Sequence, residues 1–570
     1  MKRLLNKEII GQQMDNNSSK ASRGILFLKR HKAYVILACA FLVYFSYSDG
    51  IFGDFVFDDI PLIVDDPFYT AEANPLKCWA RSFWKESRQQ GLYRPMTTFT
   101  YWTDIQLFGL KAPLLRAENL LLHLLVCFLV YKYAGRMRLG KTSALLAALL
   151  FGLHPIHTEA VIPVFGRGEL LCTGFFLLGL LLYSYPGKRY AIFAGGAFLF
   201  ACWSKEHAVI FIPLCILQDI YLRRIEFKDI KKSLSGVLLT RYSFLLLALF
   251  LFFLSRYALL GTMIPALDNF EPGIDNPIAT SPFLIRLVSA MRIHGIALSK
   301  FIWPDTLSHD YSFAQLMPSV SIWDCNAFMV VLLFIGISAL AYIFFPRERR
   351  KILFLVLAYL LSILIAGNFI VPAGTIFAER LQYLPSIWLC LFFAMLFMRI
   401  SRKISFACVL LLLFAVFMAC GIRTYVRSAD WKNEMSLAVA GIKAAPDSAK
   451  MWNNLAVQLE NIGDYSGAVA ACDMAIKIYP RFSTAYAIRG TNNARLGNSV
   501  DGEKDLRQAL SLHSRHSKAA HNLGALYANT GRLEEAKRIW EESLKNNPAQ
   551  RDLRSELEKL EMQMKENGKK

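Results

Sequence analysis

From Ala33 to about Ile422 apolar runs recur along the chain, separated by short polar stretches that are mostly basic. Most of the runs approach the roughly 20 residues that cross a bilayer as a helix. Beyond Arg423 the pattern changes to amphipathic stretches rich in Ala, Asn, Glu, Lys and Arg. The chain therefore reads as all-α, a polytopic membrane domain followed by a soluble helical domain. Spans are expected near 33–49, 114–134, 142–163, 168–185, 190–204, 207–222, 241–260, 326–345, 352–371, 384–398 and 404–422, about eleven crossings. Basic clusters set their direction: the N-terminus through Lys32, Lys132 to Lys141, Lys188-Arg189, Arg223 to Lys232, Arg347 to Lys351 and Arg399 to Lys403 all fall on the inner side. One apolar stretch is left out of the count. Leu284 to Trp303 carries Arg286, Arg292, His294 and Lys300, and crossing there would invert every later basic loop, so it reads as an amphipathic helix on the outer surface. The expected organisation is a basic inner N-terminus (1–32), a membrane domain (33–425) with a first outer loop (50–113) and an outer interfacial segment (261–325), and an outer helical domain (426–570).

Composition narrows this little further. The 570 residues are 55% hydrophobic, too apolar for one soluble domain, and the net charge of +20 sits largely in inner loops, so no nucleic-acid role follows. The eleven cysteines form no CxxC pair and read as small apolar packing residues. The first span follows a long polar start and reads as an uncleaved anchor.

In the soluble part a 34-residue period is visible: Pro446, Pro480 and Pro548 share a ladder with Ser514 at the remaining rung, and Gly463, Gly497 and Gly531 repeat with them. Trp452, Tyr486 and Ala520 correspond, as do Leu455, Arg489 and Leu523, then Ala468, Gly502 and Ala536. Such units resemble the tetratricopeptide repeat over 449–548, with a capping helix near 549–566. The middle unit departs at Arg489, Gly502 and Ser514, and looser packing is expected there. Stacked helix pairs make a groove for extended peptide. Its candidate contacts are Trp452, Asn453, Asn454, Tyr486 and Asn522.

The chemistry-bearing residues gather on the outer side. The first outer loop holds two carboxylate pairs, Asp58/Asp59 and Asp65/Asp66, whose mutual repulsion calls for a cation, a metal or a shifted pKa. Tyr93-Arg94, His154, His157, Glu159, Arg167, Glu169, Lys205-Glu206-His207 and Glu379-Arg380 with Tyr383 end neighbouring spans, and His123 shares a helix face with Asn119. Ionisable groups at membrane depth are costly unless paired or solvated, which makes them functional candidates. Taken singly, His123 also fits a satisfied core histidine, Glu379-Arg380 an internal brace, and His154/His157/Glu159 a weak metal spacing.

Gly53–Asp59, Tyr93–Thr98, Asn119–His123, His154–Val161 with Gly166–Glu169, Ser204–Glu206, Ala378–Ser386 and Trp431–Glu434 leading into the repeats together resemble the transmembrane and tetratricopeptide-repeat O-mannosyltransferases and their bacterial relatives. The resemblance implies a GT-C glycosyltransferase, with an expected inverting transfer of a hexose, expected to be mannose, from a polyprenyl-phosphate carrier to Ser/Thr hydroxyls of an extracytoplasmic protein held by the repeats. It implies that Asp58-Asp59 is the catalytic motif. Which of the two is the base stays open. The donor phosphate would meet Arg380 and Lys205 first, with Arg167 and Arg94 also available, and Tyr93, His123, His154, His157, Glu159, Glu169, Glu206, Glu379 and Tyr383 would support the site. A divalent metal, if present, would be held by Asp58, Asp59, Asp65 and Asp66, but the expected site is metal-independent, with arginine and lysine as the only cations at the phosphate. The expected setting is a bacterial inner membrane with periplasmic repeats, or an endoplasmic reticulum membrane with luminal ones. The alternatives are a transferase acting on lipid or surface polysaccharide, and a non-enzymatic membrane-anchored repeat scaffold.

Overall fold

The computed structural model describes residues 32–84, 91–225, 237–263, 273–546 and 550–567. The basic N-terminus up to His31, the Lys228–Lys232 part of one basic loop, residues 264–272 of the interfacial segment and Pro548 lie outside the described residues. Every element among the described residues is helical. They divide into two compact units, one of residues up to 270 with 281–307 and 318–433, the other of 271–280, 308–317 and 434–570.

The first unit runs through α1 (Lys32–Ile51), α2 (Pro95–Phe108), α3 (Ala112–Arg136), α4 (Lys141–Leu153), α5 (Arg167–Tyr183), α6 (Lys188–Ser204), α7 (Phe211–Tyr221), α8 (Val237–Leu260), α9 (Phe283–Ile302), α10 (Cys325–Phe344), α11 (Arg349–Ile363), α12 (Ser386–Ile400) and α13 (Phe406–Ala429). Among the described residues, five helical stretches are long and apolar enough to cross a membrane: Ala112–Arg136, Val164–Tyr183, Leu239–Leu260, Cys325–Phe344 and Phe406–Ala429. A sixth arises if α4 and the turns after it, bent by 53°, form one span. The chain is thus a membrane protein, and length and composition mark out fewer spans among the described residues than the expected eleven. Polar breaks cut several other segments short. Ser386–Ile400 is apolar but brief, α6 stops at Ser204, and α7 extends only from Phe211 to Tyr221.

These breaks are what position the candidate site. At the end of α4, His154 is extended (φ −74°, ψ 124°) because Pro155 follows, and Pro155 has no N–H to continue the ladder. The chain then turns back through Thr158–Val161, carrying Glu159 into the interior. Lys205, extended at φ −159° and ψ 137°, ends α6 and begins a 3-10 turn. Ala378 does the same before the turn that carries Arg380. The stretch expected at an interface forms α9, with one stripe buried (Ser289, Ile293, Ala297, Phe301) and Leu284 and Leu287 exposed.

The second unit contains α14 (Glu434–Ala444), the pairs α15 (Ala449–Asn461) with α16 (Tyr465–Ile478), α17 (Ser483–Arg495) with α18 (Ser499–Leu512), and α19 (Ser517–Asn529) with α20 (Leu533–Asn546), then α21 (Arg551–Asn567). Gly463, Gly497 and Gly531 turn each pair at φ of 84°, 88° and 79°, the left-handed region open to glycine, which explains their fixed period. The middle pair is not loose. Gly490 and Gly502 face each other so closely that a Cβ on either would lie 2.8–2.9 Å from the other's carbonyl oxygen. Arg489, where the other units have Leu, forks onto Asp505 at 2.7 and 2.8 Å and reaches Asp473 at 2.6 Å. Two segments distant in sequence complete the unit. Phe313 O accepts the Ala449 N–H at 3.0 Å, and half-buried Lys450 meets Asp275 at 2.8 Å and Asp310 at 3.3 Å. Burial works against the Lys450 charge, but Asp310 and Asp275 outweigh it and raise its pKa.

Candidate active site

The first loop is fastened before it presents anything. Buried Arg116 donates to Gly50 O (2.5 Å), Trp431 O (2.9 Å) and Asp54 O, while Asp54 N donates to Lys432 O at 2.8 Å. Gly53 is required here, since a Cβ would lie 2.5 Å from Lys432 O. Phe57 then adopts φ 52°, a left-handed conformation unusual for an aromatic residue, immediately before the aspartate pair.

The two aspartates have different surroundings. Asp59 is fully buried, accepting from Phe165 N at 2.7 Å and Val56 N at 3.3 Å. Burial pushes its pKa up to about 6, while Arg116 and the backbone N–H groups pull the other way. Asp58 is half-buried and lies within electrostatic reach of Arg380. Around them, segments remote in sequence form alternating charges. Arg380 pairs with Glu159, which also accepts the Arg380 N–H at 2.9 Å. Lys205 pairs with Glu169, and His207 Nε2 lies 3.5 Å from the same carboxylate. Arg94 donates from Nε and Nη2 to Glu206 Oε2, both at 3.0 Å, and Arg256 stands 3.9 Å from Glu206 Oε1. Lys205 feels both Arg94 and Arg380, so these pairs are one cluster. Burial lowers the Lys205 pKa, with Glu169 opposing. Burial also works against the charge on Arg380, but Glu159 and Asp58 prevail and hold its pKa above the ordinary value. The Arg380 guanidinium stacks 5.1 Å from the Phe165 ring.

Other expected residues lie elsewhere in the network. Arg167 is sealed from solvent and fully engaged: Asp104 at 2.5 Å, Glu118 at 3.2 Å, Asn119 Oδ1 at 2.9 Å and Leu115 O at 3.0 Å. It is a brace between helices and has no arm to offer a phosphate. Asp65 and Asp66 do not join Asp58 and Asp59. Asp66 accepts from Phe68 N at 3.1 Å and Arg81 at 2.5 Å, capping a short helical turn. His154 bonds Phe301 O at 2.8 Å, and His157 bridges Phe151 O and Ser386 Oγ, both at 2.8 Å. Those rings are satisfied by protein, and among the described residues no three His, Cys, Asp or Glu gather in a metal-holding group. His123 bonds Tyr383 Oη at 2.7 Å and Gly152 O at 3.1 Å, ordering the floor on which the Arg380 turn rests. Tyr93 donates to Trp79 O at 3.1 Å, and Glu379 is buried. Arg116 and Arg256 are not among the residues that the sequence motifs point to, whereas His207 lies within one of them. Arg256 sits within an expected span, and an arginine there was itself a signal.

In the repeats, Trp452 donates to Pro446 O at 2.8 Å and packs between its own helices, and Tyr486 lies against the core below Arg489. Both serve packing, not a groove. Asn453 is buried, Asn454 half-buried, and Asn522 donates to Thr491 Oγ1 at 2.8 Å.

The tetratricopeptide repeat family model matches residues 517–545. Protein O-mannosyl-transferase TMTC3 of Mus musculus is 27% identical over 566 residues, covering 90% of this chain and 59% of that protein. Protein O-mannosyl-transferase F38B6.6 of Caenorhabditis elegans is 30% identical over 459 residues, 76% of this chain and 61% of that one. TMTC4 of Homo sapiens is 29% identical over 476 residues, 73% and 62%. Among solved structures, the first repeat domain of Spaghetti (RPAP3) bound to an HSP90 peptide is 23% identical, covering 20% of this chain and 94% of that one, with a TM-score of 0.20. This chain spans about three fifths of the length of the curated relatives it matches. The resemblance carried by the motifs is thereby borne out: along nine tenths of its length the chain is homologous to proteins named protein O-mannosyl-transferase.

Proposed function

We propose that this chain is an integral-membrane, GT-C-type glycosyltransferase that moves mannose from a polyprenyl-phosphate carrier to Ser/Thr hydroxyls of protein. The observation that carries the reading is the buried cluster of paired charges, Arg380 with Glu159, Lys205 with Glu169 and Arg94 with Glu206, with Asp58 within electrostatic reach of Arg380. The names of the relatives supply the sugar and the protein acceptor. Asp58 is the base and takes the hydroxyl proton. The hydroxyl oxygen bonds to the anomeric carbon as the carbon–oxygen bond to phosphate breaks, and the phosphate leaves with the electron pair. Arg380 and Lys205 meet its growing charge, with Arg94 behind them. Asp59 anchors the loop that aims Asp58. Attack opposite the phosphate inverts the anomeric centre; retention in the isolated product would refute this.

The cations of the chain serve the phosphate without a resident metal, and activity abolished by EDTA and restored by Mn²⁺ would overturn that. The membrane domain crosses about eleven times with Asp58 and the repeats on one outer side, either periplasmic in a bacterial inner membrane or luminal in the endoplasmic reticulum, and the repeats hold the acceptor polypeptide through Asn453, Asn454 and Asn522. The deciding experiment is transfer of radiolabelled mannose from polyprenyl-phosphate mannose in membranes carrying wild type or Asp58→Asn. Label in protein, lost with the substitution, supports the reading. Label in lipid or polysaccharide moves the acceptor, and transfer that survives Asp58→Asn refutes the base.

A further inference from the structure

A second lipid-shaped feature lies away from the charged cluster. Between α10, α11, α12 and the end of α9 is a cavity of about 450 Å³. Its walls are apolar, among them Leu333, Leu355, Val356, Tyr359, Trp388 and Phe392. That volume falls in the range of about 300–1,000 Å³ typical of ligand pockets. One end is different: Glu348, Lys351, Arg399 and Arg402 line it. Lys351 is in the first turn of α11, whose first turn holds no acidic residue, and Arg399 is in the last turn of α12. None of the three cations makes an ion pair among the described residues, unlike Arg94, Arg167, Lys205 and Arg380, which are matched to carboxylates. Glu348 Oε2 is sealed from solvent and receives no hydrogen bond among the described residues. The mouth therefore asks for an anion and a hydrogen-bond donor together, and the walls ask for a hydrocarbon chain.

We infer that this cavity binds an anionic glycerophospholipid, one acyl chain between α11 and α12, its phosphate on Lys351, Arg399 and Arg402, and a headgroup hydroxyl donating to Glu348. Basic pockets between membrane helices hold such headgroups. The site is separate from the proposed reaction. Arg380 precedes α12 at Ser386, and the basic mouth is at the other end of that helix, about 20 Å along its axis at about 1.5 Å per residue. A phosphate held there is out of reach of Asp58, so the inference stands whether or not mannosyl transfer is found.

The test uses the full chain, stripped of lipid in detergent and titrated with dioleoyl phosphatidylglycerol or dioleoyl phosphatidylcholine, with bound lipid counted by native mass spectrometry. One phosphatidylglycerol per chain is expected, with phosphatidylcholine bound far more weakly. Lys351→Gln with Arg399→Gln and Arg402→Gln should weaken binding by about a hundredfold, at about fivefold per basic residue. The control Lys188→Gln with Arg189→Gln, on another loop, should leave it unchanged. Val356→Phe fills the cavity while keeping the cations and should also expel the lipid, which decides the matter if the triple variant does not fold. Equal retention by wild type and Val356→Phe, or equal binding of the two lipids, would reduce the feature to ordinary membrane contact and overturn the inference. So would one-for-one displacement by polyprenyl phosphate, which would make the cavity a channel for the carrier tail.

Discussion

Asp58→Asn and Asp59→Asn are expected to fail differently, although the residues are adjacent. Asp58 is half-buried beside Arg380, and its backbone is held by the clamp of Arg116 on Gly50, Asp54 and Trp431. Replacing its carboxylate removes a base while leaving that clamp intact. The expected loss is about 10²–10⁴-fold in kcat, the usual worth of a general base. Asp59 accepts two buried N–H groups. Its amide substitute keeps one oxygen for Phe165 N, but its NH₂ then faces the Val56 N–H, donor against donor. An unsatisfied buried donor costs about 1–3 kcal/mol, so the loop's competent population falls roughly 5–150-fold. The assay pairs single-turnover mannosyl transfer with hydrogen exchange across residues 53–64. Asp58→Asn should show lost transfer with wild-type protection, and Asp59→Asn a smaller loss with faster exchange. Wild-type protection in Asp59→Asn together with complete loss of transfer would refute the division of roles and make Asp59 the base.

The same residue gives a pH prediction. The folded pKa of Asp59 is about 6, above its ordinary 3.8, so the fold favours the protonated form. Its contribution is fully present below pH about 4 and is lost as pH rises through 6, a change of roughly 3 kcal/mol. Thermal unfolding in detergent should therefore show wild type losing stability relative to Asp59→Asn between pH 4 and 7; parallel curves would contradict the burial. Arg167→Ala strands Asp104 and should abolish folded protein on size exclusion, whereas Arg380→Lys keeps a cation on buried Glu159 but loses the fork and should leave a folded protein with little transfer; the opposite outcome would exchange brace and site. In the repeats, Arg489→Leu restores the residue type of its neighbours yet leaves Asp505 buried alone, and should lower unfolding stability by on the order of 2 kcal/mol. Adding Asp505→Leu should recover most of the loss, and no recovery would show that the pair was not the cause.

Local pattern determined the helical architecture, the repeat period and its turns. Apolar run length, proline and left-handed glycine act through neighbours in sequence, so Gly463, Gly497 and Gly531 announce their role without a fold around them. The list of charged candidates was also legible, because ionisable groups beside apolar runs stand out in any reading. What each charge does was decided only in three dimensions. Arg167 and Arg380 look alike in the sequence, both following short polar motifs at the ends of spans. Asp104, Glu118 and Asn119 converge on one of them and absorb it, while Asp58 approaches the other. Asp66 was drawn off by a helix cap and Arg81, and Trp452 and Tyr486 by the seam between their own helices. A short run of sequence sets a residue's type and local backbone, but its electrostatic partners come from segments tens to hundreds of positions away. The number of uninterrupted spans was decided there too, where buried polar breaks such as Lys205 and the turn after Pro155 find the partners that let a helix stop inside the protein.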